Sequence, residues 1–253
     1  MLLVAATGCK RHKPPPITNL WLSKTQGCAR TKEGSHLACW GGPSRVAPRF
    51  VRTIVSDDVT VGDEEICAAL AEGVRCWKGD EPPSPSTATP PKLSLPSFPG
   101  ETVQLSAKGE HHACAKTDRN LYCWGANDAG QLGDGTTRNS ETPVTVHGVG
   151  NVAEIAAGAR HTCVRTASGT VACWGANDSY QLANGTTTPS STPVATFGLR
   201  GVVRIVAAGD ATCVVTSDGV GRCWGKNDQG QLGDGTTEPR NVPSPLKTFT
   251  LPK

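Results

Sequence analysis

The sequence has few aromatic residues and no long hydrophobic run. Phe, Trp and Tyr make up 5% of the 253 residues, whereas glycine (29) and proline (19) are plentiful. No segment approaches the ~20 apolar residues of a membrane-spanning helix, and no concentrated basic stripe accompanies the net charge of +3. This composition predicts neither a transmembrane helix nor a nucleic-acid partner. It suits short strands joined by many turns better than helices.

An internal repeat dominates the chain. The segments CWGANDAGQLGDGTT (123–137), CWGANDSYQLANGTT (173–187) and CWGKNDQGQLGDGTT (223–237) are near-copies of one another. Each unit contains four strand-like pieces bounded by Gly, Asn or Pro; in the fourth unit these are 152–157, 161–166, 170–175 and 192–197. The last strands of the third and fifth units are expected at 142–146 and 244–250. Four-stranded units that recur every 47–50 residues are typical of propeller blades. The five units span 17–56, 57–100, 101–149, 150–200 and 201–253.

Cysteine is abundant, and its spacing is regular. Ten of the 11 cysteines form pairs nine to eleven residues apart: Cys28/Cys39, Cys67/Cys76, Cys114/Cys123, Cys163/Cys173 and Cys213/Cys223. If the last pair is aligned across a hairpin, Ser217, Asp218 and Gly219 form the loop, a length that places glycine in the left-handed region. Facing residues of this kind lie within disulfide range. The sequence therefore predicts one hairpin disulfide per unit, with packed free thiols as the alternative.

A tryptophan follows the second cysteine of every pair. The five are Trp40, Trp77, Trp124, Trp174 and Trp224. Because neighbouring residues of a strand point to opposite faces, each disulfide should occupy one face of its sheet and each indole the other. We expect the indoles to form the core between adjacent sheets; a ladder for stacking a ligand is the alternative.

The segment GARHTCVRTASGTVACWGANDSYQLANGTT (158–187) and its two companions resemble the regulator-of-chromosome-condensation repeat family. The resemblance rests on Gly-x-x-His, Cys-Trp-Gly and Asn-x-x-Gly-Gln-Leu-Gly at fixed offsets. It implies an all-β fold, a β-propeller of four-stranded blades. Members usually have seven blades, whereas this chain has five units. A closed five-bladed ring is the favoured prediction, and an open arc that completes itself as a homodimer is the alternative.

The amino end lies outside the repeats. Ala6-Thr7-Gly8-Cys9 resembles the cleavage box of bacterial lipoproteins, in which the cysteine carries the lipid. We therefore expect residues 1–8 to be the remnant of a signal peptide and 9–16 to be a lipidated Cys9 followed by a basic, proline-rich tether. The alternative is an irregular terminus with an unmodified cysteine. A lipid anchor and oxidised cysteines would place the protein in the cell envelope or outside the cell.

The Asn-Asp pairs that follow each Cys-Trp-Gly resemble calcium loops, but they lack the EF-hand spacing and its terminal glutamate. Asn and Asp also bond their own backbone in turns, so we expect structural loops, with no metal and no cofactor. His112 and His161 have Gln26, Glu65 and Ala211 at the equivalent positions of the other units. A symmetric metal ring would need a ligand in most copies, so these histidines are expected to be capped, partly buried polar residues.

Departures from the repeat mark where a binding surface could lie. Tyr180 and Ala183 replace the glycines found at 130 and 133, and the proline-rich segment 78–100 replaces the Asn-Asp loop of the second unit. The segment is expected to be an exposed excursion. The candidate binding surface comprises Tyr180, Asn127, Asp128, Asn177, Asp178, Asn227 and Asp228.

These features predict a membrane-anchored, extracytoplasmic scaffold that binds a protein or glycan through its loops. No nucleophile stands beside a recognisable base and no phosphate-binding glycine loop occurs, so no catalytic residue is assigned and no enzyme is expected. Two alternatives stay open. One is an extracytoplasmic propeller lyase or hydrolase with a site at the ring centre. The other is nucleotide exchange on a small GTPase, the role of the nuclear family member.

Overall fold

A computed structural model describes residues 17–22, 26–31, 36–41, 49–53, 59–61, 66–70, 73–77, 84–85, 103–108, 110–117 and 119–247. Within these ranges the chain forms twenty strands and no helix. No helix suited to crossing a membrane occurs among them. Cys9 and the predicted tether lie outside the described residues.

The strands form five antiparallel sheets of four, each built from consecutive strands. The first sheet contains β1 (Ile17–Leu22), β2 (Gln26–Thr31), β3 (His36–Gly41) and β4 (Arg49–Thr53). The second contains β5 (Val59–Val61), β6 (Ile66–Leu70), β7 (Gly73–Trp77) and β8 (Ser84–Pro85). The third contains β9 (Val103–Lys108), β10 (His112–Thr117), β11 (Leu121–Gly125) and β12 (Ser140–Thr145). The fourth contains β13 (Val152–Ala157), β14 (His161–Thr166), β15 (Val171–Gly175) and β16 (Ser190–Ala195). The fifth contains β17 (Val202–Ala208), β18 (Ala211–Thr216), β19 (Gly221–Gly225) and β20 (Arg240–Pro245). The predicted all-β class and four-stranded unit are confirmed.

The outer strands begin earlier than the sequence pattern predicts. The expected strand at 244–250 is β20, which starts at Arg240 because its register pairs Gly225 with Arg240 and Cys223 with Ser244 across an irregularity. Its prolines are tolerated because an outermost strand needs hydrogen bonds along one side only. The proline-rich segment of the second unit also contributes a short outer strand, β8, so it is not wholly an excursion.

Disulfides close the hairpins of the third, fourth and fifth sheets. Their Cα–Cα distances are 4.0, 4.1 and 4.1 Å for Cys114–Cys123, Cys163–Cys173 and Cys213–Cys223. Gly169 and Gly219 end the turns of the fourth and fifth hairpins with φ of 77° and 79°, the left-handed conformation that the loop length predicts. The hairpin prediction is confirmed in these three sheets.

The first two sheets keep the same cysteine register. Cys28 is disulfide-bonded, and the backbone places Cys39 opposite it. Cys67 likewise lies opposite Cys76. The side chains of Cys39, Cys67 and Cys76 lie outside the described residues.

The first strands of consecutive sheets lie side by side, and the space between sheets is filled by tryptophan and by the loop that follows the third strand. Trp174 and Trp224 are fully buried. Each indole N–H donates to a glutamine carbonyl of the preceding sheet's loop, Trp174 to Gln131 at 2.9 Å and Trp224 to Gln181 at 2.7 Å. The predicted inter-sheet core is therefore present at the third–fourth and fourth–fifth junctions.

The first sheet packs against the fifth through the same contacts. Trp40 donates to the carbonyl of Gln231 at 2.6 Å, and Ile17 N donates to Gly219 O at 2.9 Å, as Val202 N does to Gly169 O at 3.0 Å. Strand β1 also neighbours β5 of the second sheet. The third, fourth, fifth, first and second sheets therefore follow one another in space. Closure into a five-bladed ring stays a prediction, because the described residues do not establish how the second and third sheets are placed relative to each other.

Candidate binding surface

The three Asn-Asp loops are organised by their asparagines. The Asn127 side-chain amide donates to the carbonyls of Thr136 (3.1 Å) and Arg138 (3.0 Å), and its oxygen accepts from Leu132 N at 2.9 Å. Asn177 and Asn227 repeat this set with distances of 2.8 to 3.0 Å. Only a side-chain amide has both the donors and the acceptor that these bonds need. The loop folds around the asparagine.

Burial divides the predicted surface residues into two groups. The three asparagines are at most 1% exposed, so they are part of the loop interior and are not accessible to a partner. The aspartates that follow them, Asp128, Asp178 and Asp228, are exposed. The partner-accessible part of the predicted surface is therefore the aspartates together with Tyr180, which is partly exposed.

The aspartates are exposed, and each accepts a hydrogen bond from the glutamine three residues later. Asp128 accepts from Gln131 Nε2 at 3.0 Å and forms an ion pair with Arg160 at 2.7 Å. The hydrogen bond from Gln131, followed by that from Arg160, lowers the pKa of the Asp128 carboxyl below its usual value. A shallow cavity of about 230 Å³ at the third–fourth junction is lined by Asp128, Arg160 and Asp178. Asp228 lies elsewhere and pairs with Lys226 at 3.3 Å.

Tyr180 occupies a backbone position that normally requires glycine. Its φ is 63°, and that of Ala183 is 45°, whereas Gly130 and Gly133 have 83° and 72° at the equivalent positions. A non-glycine residue in this region costs roughly 1–2 kcal/mol. The fourth unit therefore holds the same loop with two strained residues, one of them a partly exposed aromatic.

The histidines tie adjacent sheets together. His112 Nε2 lies 2.8 Å from Thr162 Oγ1, and His161 Nε2 lies 2.8 Å from Thr212 Oγ1. The Thr162 hydroxyl donates its proton to Gln131 O at 2.9 Å, so it accepts from His112. Each Nδ1 is buried without a hydrogen-bond partner among the described residues. The sequence predicts capped, partly buried residues; the histidines are capped at Nε2, but they are buried almost completely.

Burial keeps both histidines neutral. It lowers the pKa of His161 to about 4. It also lowers the pKa of His112 to about 4, with smaller contributions from the charges of His161 and His111. Each imidazole bonds its own threonine hydroxyl. The described residues contain no group of three His, Cys, Asp or Glu side chains that could hold a metal ion.

Sequence reasoning missed the charged side chains that only meet across a junction. Arg160 reaches Asp128 from the next sheet. Glu154 on β13 accepts from Arg165 at 2.9 Å, from Arg204 at 3.2 Å and from Ile205 N at 3.1 Å. A comparison of equivalent positions could have flagged these residues, since Glu154 and Arg204 occupy the same place in successive repeats.

The chain forms five four-stranded sheets, and the first strands of neighbouring sheets are adjacent. A loop is wedged between the sheets at the third–fourth, fourth–fifth and fifth–first junctions. This arrangement defines a protein of the β-propeller class. The Regulator of chromosome condensation (RCC1) repeat matches residues 118–165, 168–215 and 223–251, and a second model of that repeat matches 103–131 and 152–181. Together these matches cover more than half of the chain, which belongs to the RCC1 repeat family.

Solved structures of yeast Prp20 show the same fold. Prp20p from Saccharomyces cerevisiae, whose structure was described with its binding to Gsp1p and histones, aligns with a TM-score of 0.54 and 19% identity over 91% of this chain and 63% of Prp20p. Yeast RCC1 (Prp20) bound by Kap60 aligns with a TM-score of 0.54 and 19% identity, over 91% of this chain and 61% of Prp20. Human WBSCR16 aligns with a TM-score of 0.45 and 18% identity, over 92% of this chain and 83% of WBSCR16. This chain spans about six tenths of the length of Prp20.

Proposed function

We propose that this protein is a membrane-anchored, extracytoplasmic binding scaffold that contacts a protein or glycan through its loops and carries out no catalysis. The observation that carries the proposal is Tyr180, held at a φ of 63° where both sibling loops have glycine. The three loops share one set of internal hydrogen bonds, so the tyrosine is not needed to form the loop.

Retained strain favours a functional role for Tyr180. A residue in the left-handed region costs roughly 1–2 kcal/mol that glycine would avoid, and strained residues cluster where ligands bind. Tyrosine is also among the residues most enriched in binding hot spots, because it offers a large rigid surface with a polar tip. The neighbouring Asp178 is exposed and provides a charge beside the ring.

The disulfides support the proposed compartment. Disulfides persist in oxidising environments and are rare in the cytosol, and three of them are present together with a disulfide-bonded Cys28. This favours an extracytoplasmic binder over a nucleotide-exchange factor. Binding to Gsp1p is a property of Prp20p, and the low identity transfers only the fold.

The internal use of the polar side chains supports a role without catalysis. Glu154 has donors on both carboxylate oxygens, and His112 and His161 each bond a threonine. A general base needs a free acceptor within reach of a substrate. Both oxygens of Glu154 are already bonded, and the unpartnered Nδ1 atoms of His112 and His161 are buried away from any substrate, so none of the three groups offers one.

The test compares two glycine substitutions in the native host. Tyr180→Gly and Ala183→Gly each relieve strain at a position where siblings carry glycine, but only Tyr180 is exposed; Ala183 is fully buried. Crosslinking followed by mass spectrometry should show one partner for the wild type and for Ala183→Gly, with recovery reduced at least about tenfold for Tyr180→Gly. Equal recovery from all three proteins would reject this surface.

The compartment has a separate test. Non-reducing peptide mass spectrometry of protein from its own host should find the hairpin disulfides and a lipid on Cys9. Free thiols together with an unmodified Cys9 would reject the extracytoplasmic location and favour the exchange-factor hypothesis.

A further inference from the structure

A groove of about 550 Å³ lies at the fourth–fifth junction, at the hairpin end of the strands and opposite the end from which the Asn-Asp loops leave. It runs between the segment 196–200, which connects β16 to β17, and the hairpin of β18 and β19. The side chains that give it its character are Phe197, Leu199, Arg200, Thr216, Asp218 and Arg222.

The backbone under the groove is a standard part of the repeat. Ser217 N donates to Gly201 O at 2.8 Å, and at the third–fourth junction Ala167 N donates to Asn151 O at the same distance. Thr216 has Thr166 at the equivalent position, but four other side chains differ between the two junctions. The third–fourth junction has His147, Gly150, Ser168 and Ala172 where the groove has Phe197, Arg200, Asp218 and Arg222. The groove's chemistry is therefore added to a scaffold that does not require it.

Two arginines in the groove have unused donors. Arg200 is exposed and Arg222 half-buried, and neither donates a hydrogen bond to any residue in the described part of the chain. Asp218 accepts from Thr216 Oγ1 at 2.5 Å and from Val220 N at 3.3 Å. The bond from Thr216, with a smaller contribution from the charge of Arg222, lowers the pKa of Asp218. The groove thus carries two guanidinium groups against one carboxylate that is already hydrogen-bonded.

An exposed apolar side chain lies in the groove beside these charges. Phe197 lines the groove and is 57% exposed. Among the described residues, it is one of three large hydrophobic side chains that are exposed, together with Val203 and Val242. An exposed phenylalanine beside unpaired arginines is the composition of a contact surface, since aromatic residues and arginine are both enriched at interfaces.

We propose that this groove binds a peptide segment of a protein partner in which a carboxylate side chain is next to an aromatic or aliphatic one. A guanidinium presents two parallel donors that match a carboxylate, and Phe197 supplies the neighbouring apolar contact. The groove volume lies within the roughly 300–1,000 Å³ of ligand sites and accommodates a few side chains. The inference rests on the proposed role as a binding scaffold but concerns another face of the sheets.

The probe is a displayed library of random decapeptides, selected on the oxidised full-length protein. Peptides enriched on the wild type should carry Asp or Glu beside Phe, Leu or a similar residue. A fluorescent copy of the best sequence should lose about tenfold in affinity with Arg200→Gly and again with Arg222→Ala. It should lose all measurable binding when its acidic residue is replaced by lysine. Arg138→Ala removes an exposed arginine at the other end of the strands and should leave binding unchanged.

The chain itself offers a transplant as a second test. A Cβ on Gly150 would meet nothing within 4 Å, so an arginine fits there. Gly150→Arg, Ala172→Arg and His147→Phe, introduced together into the Arg200→Gly, Arg222→Ala double variant, should restore binding to within about tenfold of the wild type. Absence of recovery would contradict the assignment of recognition to these side chains.

Three further results would overturn the proposal: no enriched peptide, enrichment of basic peptides, or equal binding by the double arginine variant. None of them bears on Tyr180, because the selection uses purified protein and the Tyr180 test uses the native partner. Peptide binding with no effect of Tyr180→Gly in cells would instead leave the groove as the contact and reject the loop surface.

Discussion

The third–fourth and fourth–fifth junctions have the same interior and different surfaces. Both have a tryptophan bonded to a glutamine carbonyl (Trp174 to Gln131, Trp224 to Gln181) and a histidine bonded to a threonine of the next sheet. Only the fourth–fifth junction adds Tyr180 at one end of the strands and the Phe197–Arg200–Arg222 groove at the other. The interior of one junction predicts that of the other, so the differences between them mark the residues free to take on function.

The fifth–first junction shows which interior contacts are optional. It keeps the tryptophan bond, from Trp40 to Gln231, but has Ala211 where the others have histidine and Gly27 where they have threonine. Histidine and its hydroxyl partner are therefore absent together. The indole contact is common to the third–fourth, fourth–fifth and fifth–first junctions, whereas the histidine–threonine contact is an addition to the first two of these.

The largest effect should come from removing a tryptophan. Trp174→Ala and Trp224→Ala should each lower the free energy of unfolding by roughly 3–5 kcal/mol, because each leaves a cavity and an unpaired glutamine carbonyl. Guanidinium unfolding of the disulfide-intact proteins measures this. The two losses should agree within about 1 kcal/mol if the interiors are equivalent. A larger difference between them would show that the two tryptophans do not contribute equally to stability at their junctions.

Much of this interior could be predicted from the sequence, because it depends on local periodicity. The alternation of Cys and Trp along one strand, and a hairpin loop ending in glycine, were enough to place the disulfides and the indoles on opposite faces. The start of β20 could not be predicted, since it depends on a register irregularity opposite Gly225.

The candidate sites were less predictable for a different reason. The repeat pattern predicts the asparagines to be surface residues, but their partners are backbone carbonyls nine and eleven residues away, and such contacts leave no mark on composition. The groove joins 196–200 to a hairpin of the following sheet. Its character becomes visible only when the two repeats are known to be adjacent and their equivalent positions are compared.

Acid should weaken the two histidine-bearing junctions. Because burial lowers the pKa of His161 from 6.5 to about 4, the unfolded chain binds a proton in this range that the folded chain does not. Stability should therefore fall as the pH decreases from about 6.5 to about 4, by at most about 3 kcal/mol for this residue, and then level off.

The matched variant is His161→Gln, since the first repeat has Gln26 at this position. Denaturant unfolding at several pH values should show a shallower dependence in the variant across that window. An unchanged pH profile would mean that His161 is not buried in the neutral form.

Exchanging glycine and alanine tests the strained loop. Ala183→Gly should stabilise the protein by about 1 kcal/mol by removing a left-handed alanine. The reverse change at the sibling position, Gly133→Ala, should destabilise it by more, because a Cβ there would lie 2.6 Å from Trp174 Nε1. Thermal unfolding distinguishes the signs. Stabilisation by Gly133→Ala would show that the two loops do not share one backbone requirement.

The smallest effect is expected at the exposed ion pair. Arg160 pairs with Asp128 at the third–fourth junction. The fourth–fifth junction has Asp210 in place of the arginine. There Gln181 Nε2 donates to both aspartates, to Asp210 at 3.2 Å and to Asp178 at 3.1 Å. Asp210→Arg would copy the ion pair. Because such pairs are exposed, the gain should not exceed about 0.5 kcal/mol, and it should disappear between about 0.1 and 1 M salt.

The reciprocal change, Arg160→Asp, should cost a similarly small amount, and urea unfolding at the two salt concentrations measures both. A gain that persists in high salt would mean that Asp178 and Asp210 repel each other in a shielded environment. The Asp178–Asp210 pair would then lower the stability of the fourth–fifth junction, next to Tyr180. Binding of a cationic group on the partner would become the reason to keep it. A small, screened effect would instead assign the difference to drift at an exposed position, and would leave Tyr180 and the groove as the features that distinguish this junction.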